Sequence, residues 1–252
     1  MSDKPLGRLC WYELMTPGPD AARDFYGRIT GWGTSTWDEG EEPYVMWMNG
    51  EVPVGGVMDL PSRDVPPCWL AYVSTPDLDE TLDRVRKLGG TVHTELQVDQ
   101  VGRFAVIEDP QGGVIAVLEP EGDAPGHDGP PAVGEFSWCD LATSDMEAAW
   151  SFYSGVFGWE KANRMDMGDM GFYQMFSRGA HPLGGMLNGP DGMPIGWLYY
   201  IRVPDARAAA ETIKELGGQI TNGPMVVPGG DTIAHGIDAH GVPFAVHSVA
   251  EE

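Results

Sequence analysis

Basic residues are scarce in this chain: 15 Lys and Arg stand against 38 Asp and Glu, for a net charge of −23. Such a balance repels phosphate backbones and anionic lipid, which argues against nucleic acid and membrane surfaces as partners. Its simplest use is solubility. Cysteine is scarcer still. Cys10, Cys68 and Cys139 are odd in number and nowhere show C-x-x-C spacing, which argues against structural disulfides and a zinc or redox centre, and for three small core residues in strands. No run approaches the roughly 20 apolar residues that span a bilayer, and Met1 to Gly7 lacks the apolar core of a signal peptide. The expectation is a soluble, cytoplasmic protein whose 252 residues, 42% of them hydrophobic, can build real cores in one or two domains.

What is present is a repeat. Trp11-Tyr12-Glu13-Leu14-Met15-Thr16, Phe25-Tyr26 and Gly31-Trp32 return as Trp138-Cys139-Asp140-Leu141-Ala142-Thr143, Phe152-Tyr153 and Gly158-Trp159, each 127 residues later. Further on, Gly55-Gly56, Trp69-Leu70, Leu88-Gly89-Gly90 and Asp109-x-x-Gly112 recur as Gly184-Gly185, Trp197-Leu198, Leu216-Gly217-Gly218 and Asp238-x-x-Gly241 at offsets of 128 or 129. Matches that hold register with single-residue slips mark a duplicated domain.

Within the first half, Leu9 to Thr16 alternates as a strand, and Asp20 to Ile29 carries Ala22, Phe25 and Tyr26 at helical spacing before Gly31. Tyr44 to Met48 and Val52 to Met58 flank Asn49-Gly50 as a hairpin, with a further strand expected around Thr34 to Trp37. After Pro66-Pro67 the pattern restarts: a strand over Trp69 to Thr75, then a helix led by Pro76, capped by Thr75 and striped by Leu78, Leu82, Val85 and Leu88. Strands follow at Gly102 to Ile107 and Val114 to Leu118. Pro120 to Pro131, rich in Pro, Gly and acid, reads as a linker. In the second half Ser144-x-x-Glu147 has capping-box spacing, and Pro204 with Ala206, Ala210, Ile213 and Leu216 repeats the Pro-led helix. The organisation expected is α+β, with domains over 6–120 and 134–250 and a linker over 121–133.

Four βαβββ units with Phe-Tyr and Gly-Trp after the first strand, and Asp-Pro-x-Gly before the last, resemble the vicinal oxygen chelate superfamily of glyoxalases, bleomycin resistance proteins and extradiol dioxygenases. The chain resembles its tandem two-domain members, among them the actinobacterial glyoxalase-like antigen group. The resemblance covers residues 9 to 120 and 136 to 249. It implies two curved-sheet cups around ligands and, in metal-dependent members, His, Gln or Glu ligands at set strand positions. Carried over, those positions fall on Trp11, Leu70 and Ala116 in one half and on Trp138, Leu198 and Ala245 in the other. Indole nitrogen only donates, and leucine and alanine have nothing to offer, so no metal and no cofactor are expected.

Strand alternation then places Glu13 and Met15 on the face of Trp11, and Asp140 and Ala142 on that of Trp138. Leu118 and His247 share the faces of Ala116 and Ala245, with Tyr72 and Tyr200 on the neighbouring strand. These form aromatic pockets with one acid each, suited to a small hydrophobic or aromatic ligand held by Trp11, Met15, Tyr72, Trp138, Tyr200 and His247. An acid in mid-strand must be solvated, paired or protonated, so Glu13 and Asp140, with His247, are the candidate catalytic groups; pairing with an arginine is the structural alternative for the acids, and a satisfied core histidine that for His247. Met165, Met167, Met170 and Met175 read equally as a flexible ligand wall or as plain core, and Met167 to Met170 replaces the acidic loop Asp38 to Glu42.

The functional reading is a metal-independent binding protein for an aromatic or polycyclic metabolite or antibiotic, in secondary metabolism or self-resistance. A cofactor-free tailoring enzyme and a metal-dependent lyase or dioxygenase with displaced ligands are the alternatives. The expected assembly is a monomeric pseudo-dimer or a homodimer.

Overall fold

A computed structural model describes residues 3–250 apart from 39, 41, 42 and 191. Among the described residues lie sixteen strands and four α-helices. The first half contains β1 (Leu9–Met15), α1 (Pro19–Thr30), β2 (Gly33–Trp37), β3 (Tyr44–Asn49), β4 (Val52–Met58), β5 (Cys68–Ser74), α2 (Leu78–Lys87), β6 (Thr91–Val98), β7 (Gly102–Glu108) and β8 (Val114–Pro120). The second contains β9 (Phe136–Thr143), α3 (Met146–Phe157), β10 (Glu160–Asp166), β11 (Phe172–Arg178), β12 (His181–Asn188), β13 (Gly196–Arg202), α4 (Ala206–Glu215), β14 (Gln219–Val226), β15 (Thr232–Ile237) and β16 (Pro243–Ser248). The α+β class and the four βαβββ modules are as the repeat predicts. No helix among the described residues is long and apolar enough to cross a membrane.

Each half contributes one open eight-stranded sheet, in the orders β2-β3-β4-β1-β5-β8-β7-β6 and β10-β11-β12-β9-β13-β16-β15-β14. Within every module the first strand pairs in parallel with the last, for example Glu13 beside Gly56 and Tyr200 beside Ala245, while the hairpins are antiparallel. Helices bridge the parallel pairs, as such crossovers require.

Compactness follows a different division from the sheets. One compact unit gathers the chain up to 11 with 70–129 and 139–197; the other gathers 12–69, 130–138 and 198 onward. Each unit therefore combines one module from each half. The repeated aromatic motifs form its core. In the first unit Trp159 Nε1 donates to Gly7 O at 2.8 Å, Trp197 Nε1 donates to Tyr153 Oη at 3.2 Å, and Trp159 stacks on Phe176 with centroids 4.6 Å apart. In the second, Trp32 Nε1 donates to Gly134 O at 2.7 Å and Trp69 Nε1 to Tyr26 Oη at 3.1 Å, while Tyr26 Oη donates to Asp238 Oδ2 at 3.2 Å. Gly-Trp and Phe-Tyr thus recur because each aromatic ring fills a core and its polar tip needs a buried acceptor.

Several local expectations are corrected. Strand β6 was not anticipated, because Thr91 to Val98 is exposed along most of its length and shows no apolar alternation. Helix α2 begins at Leu78 with Asp77 as its cap, accepting from Glu80 N at 2.8 Å, so neither Thr75 nor Pro76 holds the expected place. In α3 and α4 likewise, Asp145 rather than Ser144 caps one helix and Asp205, one residue after Pro204, caps the other. A carboxylate outcompetes a neighbouring hydroxyl there because it also meets the positive end of the helix dipole. Leu88 is 40% exposed and ends its helix rather than lining the core. The linker is tied down by charge: Arg8 donates to Asp128 at 2.6 Å and to Asp3 at 3.0 Å, and Arg178 also pairs with Asp128. All three cysteines are free thiols; Cys10 and Cys139 are buried and Cys68 half-buried.

Trp159→Phe keeps a ring in the core but orphans the Gly7 carbonyl. The expected loss is roughly 1–3 kcal/mol. Urea unfolding should show a lower midpoint at unchanged slope; an unchanged midpoint would refute the structural role given to this indole.

Candidate functional site

The β1 acid is built into a small, closed arrangement. Glu13 lies in mid-strand, 5% exposed, and Tyr44 on β3 donates its hydroxyl to Glu13 Oε2 at 2.6 Å. Strand β4 runs between them, with Gly56 level with both Glu13 and Met46. A Cβ on Gly56 would fall inside the Tyr44 hydroxyl and 2.8 Å from Glu13 Oε1, so only glycine lets the phenol cross the strand to the acid. Glu13 Oε1 is buried with no hydrogen-bond partner. Burial pushes the Glu13 carboxyl up to about 8, against the opposing pull of the Tyr44 hydrogen bond.

The second half repeats the device. Tyr173 on β11 donates to Asp140 Oδ1 at 2.6 Å, and a Cβ on Gly185 would overlap the Tyr173 ring. The shorter Asp140 is only half-buried. In both halves a tyrosine hydroxyl donates to the acid.

The other candidates fall as follows. Met15 is buried, and Trp11 and Trp138 are half-buried. Tyr72 lies beside Ala116 and meets Phe104 edge-on, with centroids 5.6 Å apart. Tyr200, 3% exposed beside Ala245, shares a hydrogen bond of 2.9 Å with His235 Nε2. His247 has Ser137 Oγ 2.9 Å from Nδ1 and Asp231 Oδ2 3.1 Å from Nε2. Neither of these two partners was singled out from sequence. Met165 and Met175 are half-buried, Met167 and Met170 exposed; residues 39, 41 and 42 of the acidic loop lie outside the described residues. Tyr44 and Tyr173 were also missed, although the repeat carried their signal: Tyr44 to Tyr173 and Gly56 to Gly185 share the offset of 129.

The sequence matches the Glyoxalase/Bleomycin resistance protein/Dioxygenase superfamily twice, over residues 8–117 and 135–246. The chain belongs to this superfamily. Among relatives, it is 29% identical over 97% of its length to the anthracycline biosynthesis protein DauV of Streptomyces sp. (strain C5), covering 94% of that protein. It is 38% identical over 45% of its length, and 44% of the relative's, to the glyoxylase-like CFP32 of Mycobacterium tuberculosis (strain CDC 1551 / Oshkosh). Among solved structures, the Mn(II)-bound glyoxalase from Novosphingobium aromaticivorans superposes with a TM-score of 0.66 at 18% identity, over 100% of this chain and 84% of that one. That likeness is one of fold.

The superfamily's metal finds no fit in the residues present. Leu70 and Ala116, and their counterparts Leu198 and Ala245, carry no lone pair, and the indoles of Trp11 and Trp138 only donate. No group of three His, Cys, Asp or Glu that could hold an ion occurs among the described residues. A buried carboxyl paired with a phenol can instead accept one hydrogen bond and, when protonated, donate another.

Glu13 also makes stability depend on pH. The folded chain keeps a proton to about 8 that an ordinary carboxyl near 4.5 releases, so folding binds a proton between these values. Stability therefore falls as pH rises through that window and levels off above it. Urea unfolding at pH about 5 and about 9 should show Glu13→Gln gaining on the parent by on the order of a few kcal/mol at the higher pH. Parallel pH profiles would contradict the assignment.

Proposed function

We propose that this protein binds an aromatic or polycyclic small molecule without a metal, and that it does so at the Glu13 wall. The observation carrying this is the unpaired, buried Glu13 Oε1 beside a carboxyl already held by Tyr44. An unsatisfied buried oxygen costs about 1–3 kcal/mol, which a ligand that pairs with it would recover. A carboxyl ionising at about 8 is mostly neutral at pH 7, so it offers an O–H donor. The complementary group is a carbonyl oxygen, which a planar aromatic or polycyclic ring system can carry. The similarity to DauV over nearly the whole chain supports a place in secondary metabolism.

A second reading has one specific observation in its favour. A carboxyl titrating at about 8 can exchange a proton at neutral pH, which is what a cofactor-free tailoring enzyme needs of a general acid or base. Binding precedes either role, so binding is what the first experiment tests.

Tryptophan fluorescence titrated with a dihydroxyanthraquinone should quench saturably. Glu13→Ala or Tyr44→Phe should raise Kd roughly tenfold, the equivalent of losing one buried hydrogen bond. Absence of quenching, or identical Kd in both variants, would overturn the site; stoichiometric zinc, iron or manganese in the purified protein would overturn metal independence.

A further inference from the structure

The side chains around His247 form an ordered relay. His247 Nε2 lies 3.1 Å from Asp231 Oδ2, and Asp231 Oδ1 accepts from Ala250 N at 3.0 Å, which fixes the carboxylate in place. A carboxylate only accepts, so the ring carries its proton on Nε2 and leaves the Nδ1 lone pair free. That lone pair faces Ser137 Oγ at 2.9 Å. The serine hydroxyl has a second acceptor, Tyr200 O, at the weaker distance of 3.4 Å. Ser137 and His247 are half-buried, and 16% of the His247 side chain and 37% of the Asp231 side chain reach solvent.

The duplication supplies an internal control. By the offsets of the repeat, Ser137, Asp231 and His247 stand where the first half has Cys10, Gly102 and Leu118. Those counterparts are plain structure: the Cys10 thiol is buried against Tyr72 O, and Leu118 is 5% exposed. Three separate positions, on β9, on β16 and just before β15, thus carry hydroxyl, imidazole and carboxylate in one half alone, and these meet in the right order. A nucleophile, a base with its lone pair aimed at it, and an acceptor orienting that base are the parts of nucleophilic acyl transfer.

We propose that Ser137, His247 and Asp231 form a serine nucleophile site acting on small carboxylic esters. Ser137 Oγ attacks the ester carbonyl carbon and passes its proton to His247 Nδ1. The carbon–oxygen bond to the alcohol breaks, and the departing alkoxide takes that proton from His247. Water then repeats the sequence at the acyl-serine, releasing the carboxylic acid and restoring the Ser137 hydroxyl. Ser137 and His247 are the catalytic residues; Asp231 is a positioning residue.

The test uses the full chain and an alkyl fluorophosphonate, in which Oγ attacks phosphorus and fluoride leaves. Intact-mass and peptide mapping should find one adduct on Ser137, absent in Ser137→Ala and formed roughly 100-fold more slowly or worse in His247→Gln. Asp231→Asn should slow it, and Asp231→Glu should restore part of the rate. Ser137→Cys guards against misfolding, since it should lose the phosphonate adduct but alkylate with iodoacetamide at residue 137 in a His247-dependent way. No adduct on Ser137 in protein with a cooperative melt, labelling that survives in Ser137→Ala, or equal rates in His247→Gln would each overturn the proposal.

Discussion

The structure depends on two indole hydrogen bonds that reach across the repeat. Trp32 of the first half donates to the carbonyl of Gly134, and Trp159 of the second donates to that of Gly7. Gly134 and Gly7 stand 127 residues apart, as the two tryptophans do. Each compact unit is thereby built from one module of each half, with a Tyr at its centre that takes a further indole donor. Aromatic rings supply the buried area and their polar tips fix which chain segment lies against them, so the same residues provide both cohesion and register.

The Glu13 arrangement sits on this scaffold. A buried, unpaired ionisable oxygen is costly in a low-dielectric interior. Gly56 gives Tyr44 its route to the acid, and the parallel pairing of β1 with β4 holds that glycine level with Glu13. The second half keeps the geometry with a shorter, wetter acid. Two copies of one device have therefore diverged in burial.

Much of this was legible in the chain. The duplication, the four modules, the aromatic motifs and the anomalous acids all follow from spacing and alternation, because those signals are local or periodic. The partners were not. Tyr44 reaches Glu13 from 31 residues away, and Ser137 reaches His247 from 110, and only sheet register brings such pairs together. Strand β6 was hidden by its exposure, and the helix caps by a serine or threonine that stood near a better acceptor. The repeat could have narrowed the search, since Tyr44 and Tyr173 occupy equivalent places, but it gives no distance.

The proposed binding turns on a proton that Glu13 holds and shares with a bound carbonyl compound. Carbon-13 NMR of the glutamate carboxyls, assigned with Glu13→Gln, measures this directly. One resonance should titrate at about 8 in the free protein and move on adding a dihydroxyanthraquinone. A Glu13 resonance that titrates in the ordinary carboxylate range and is indifferent to the added compound would contradict the account.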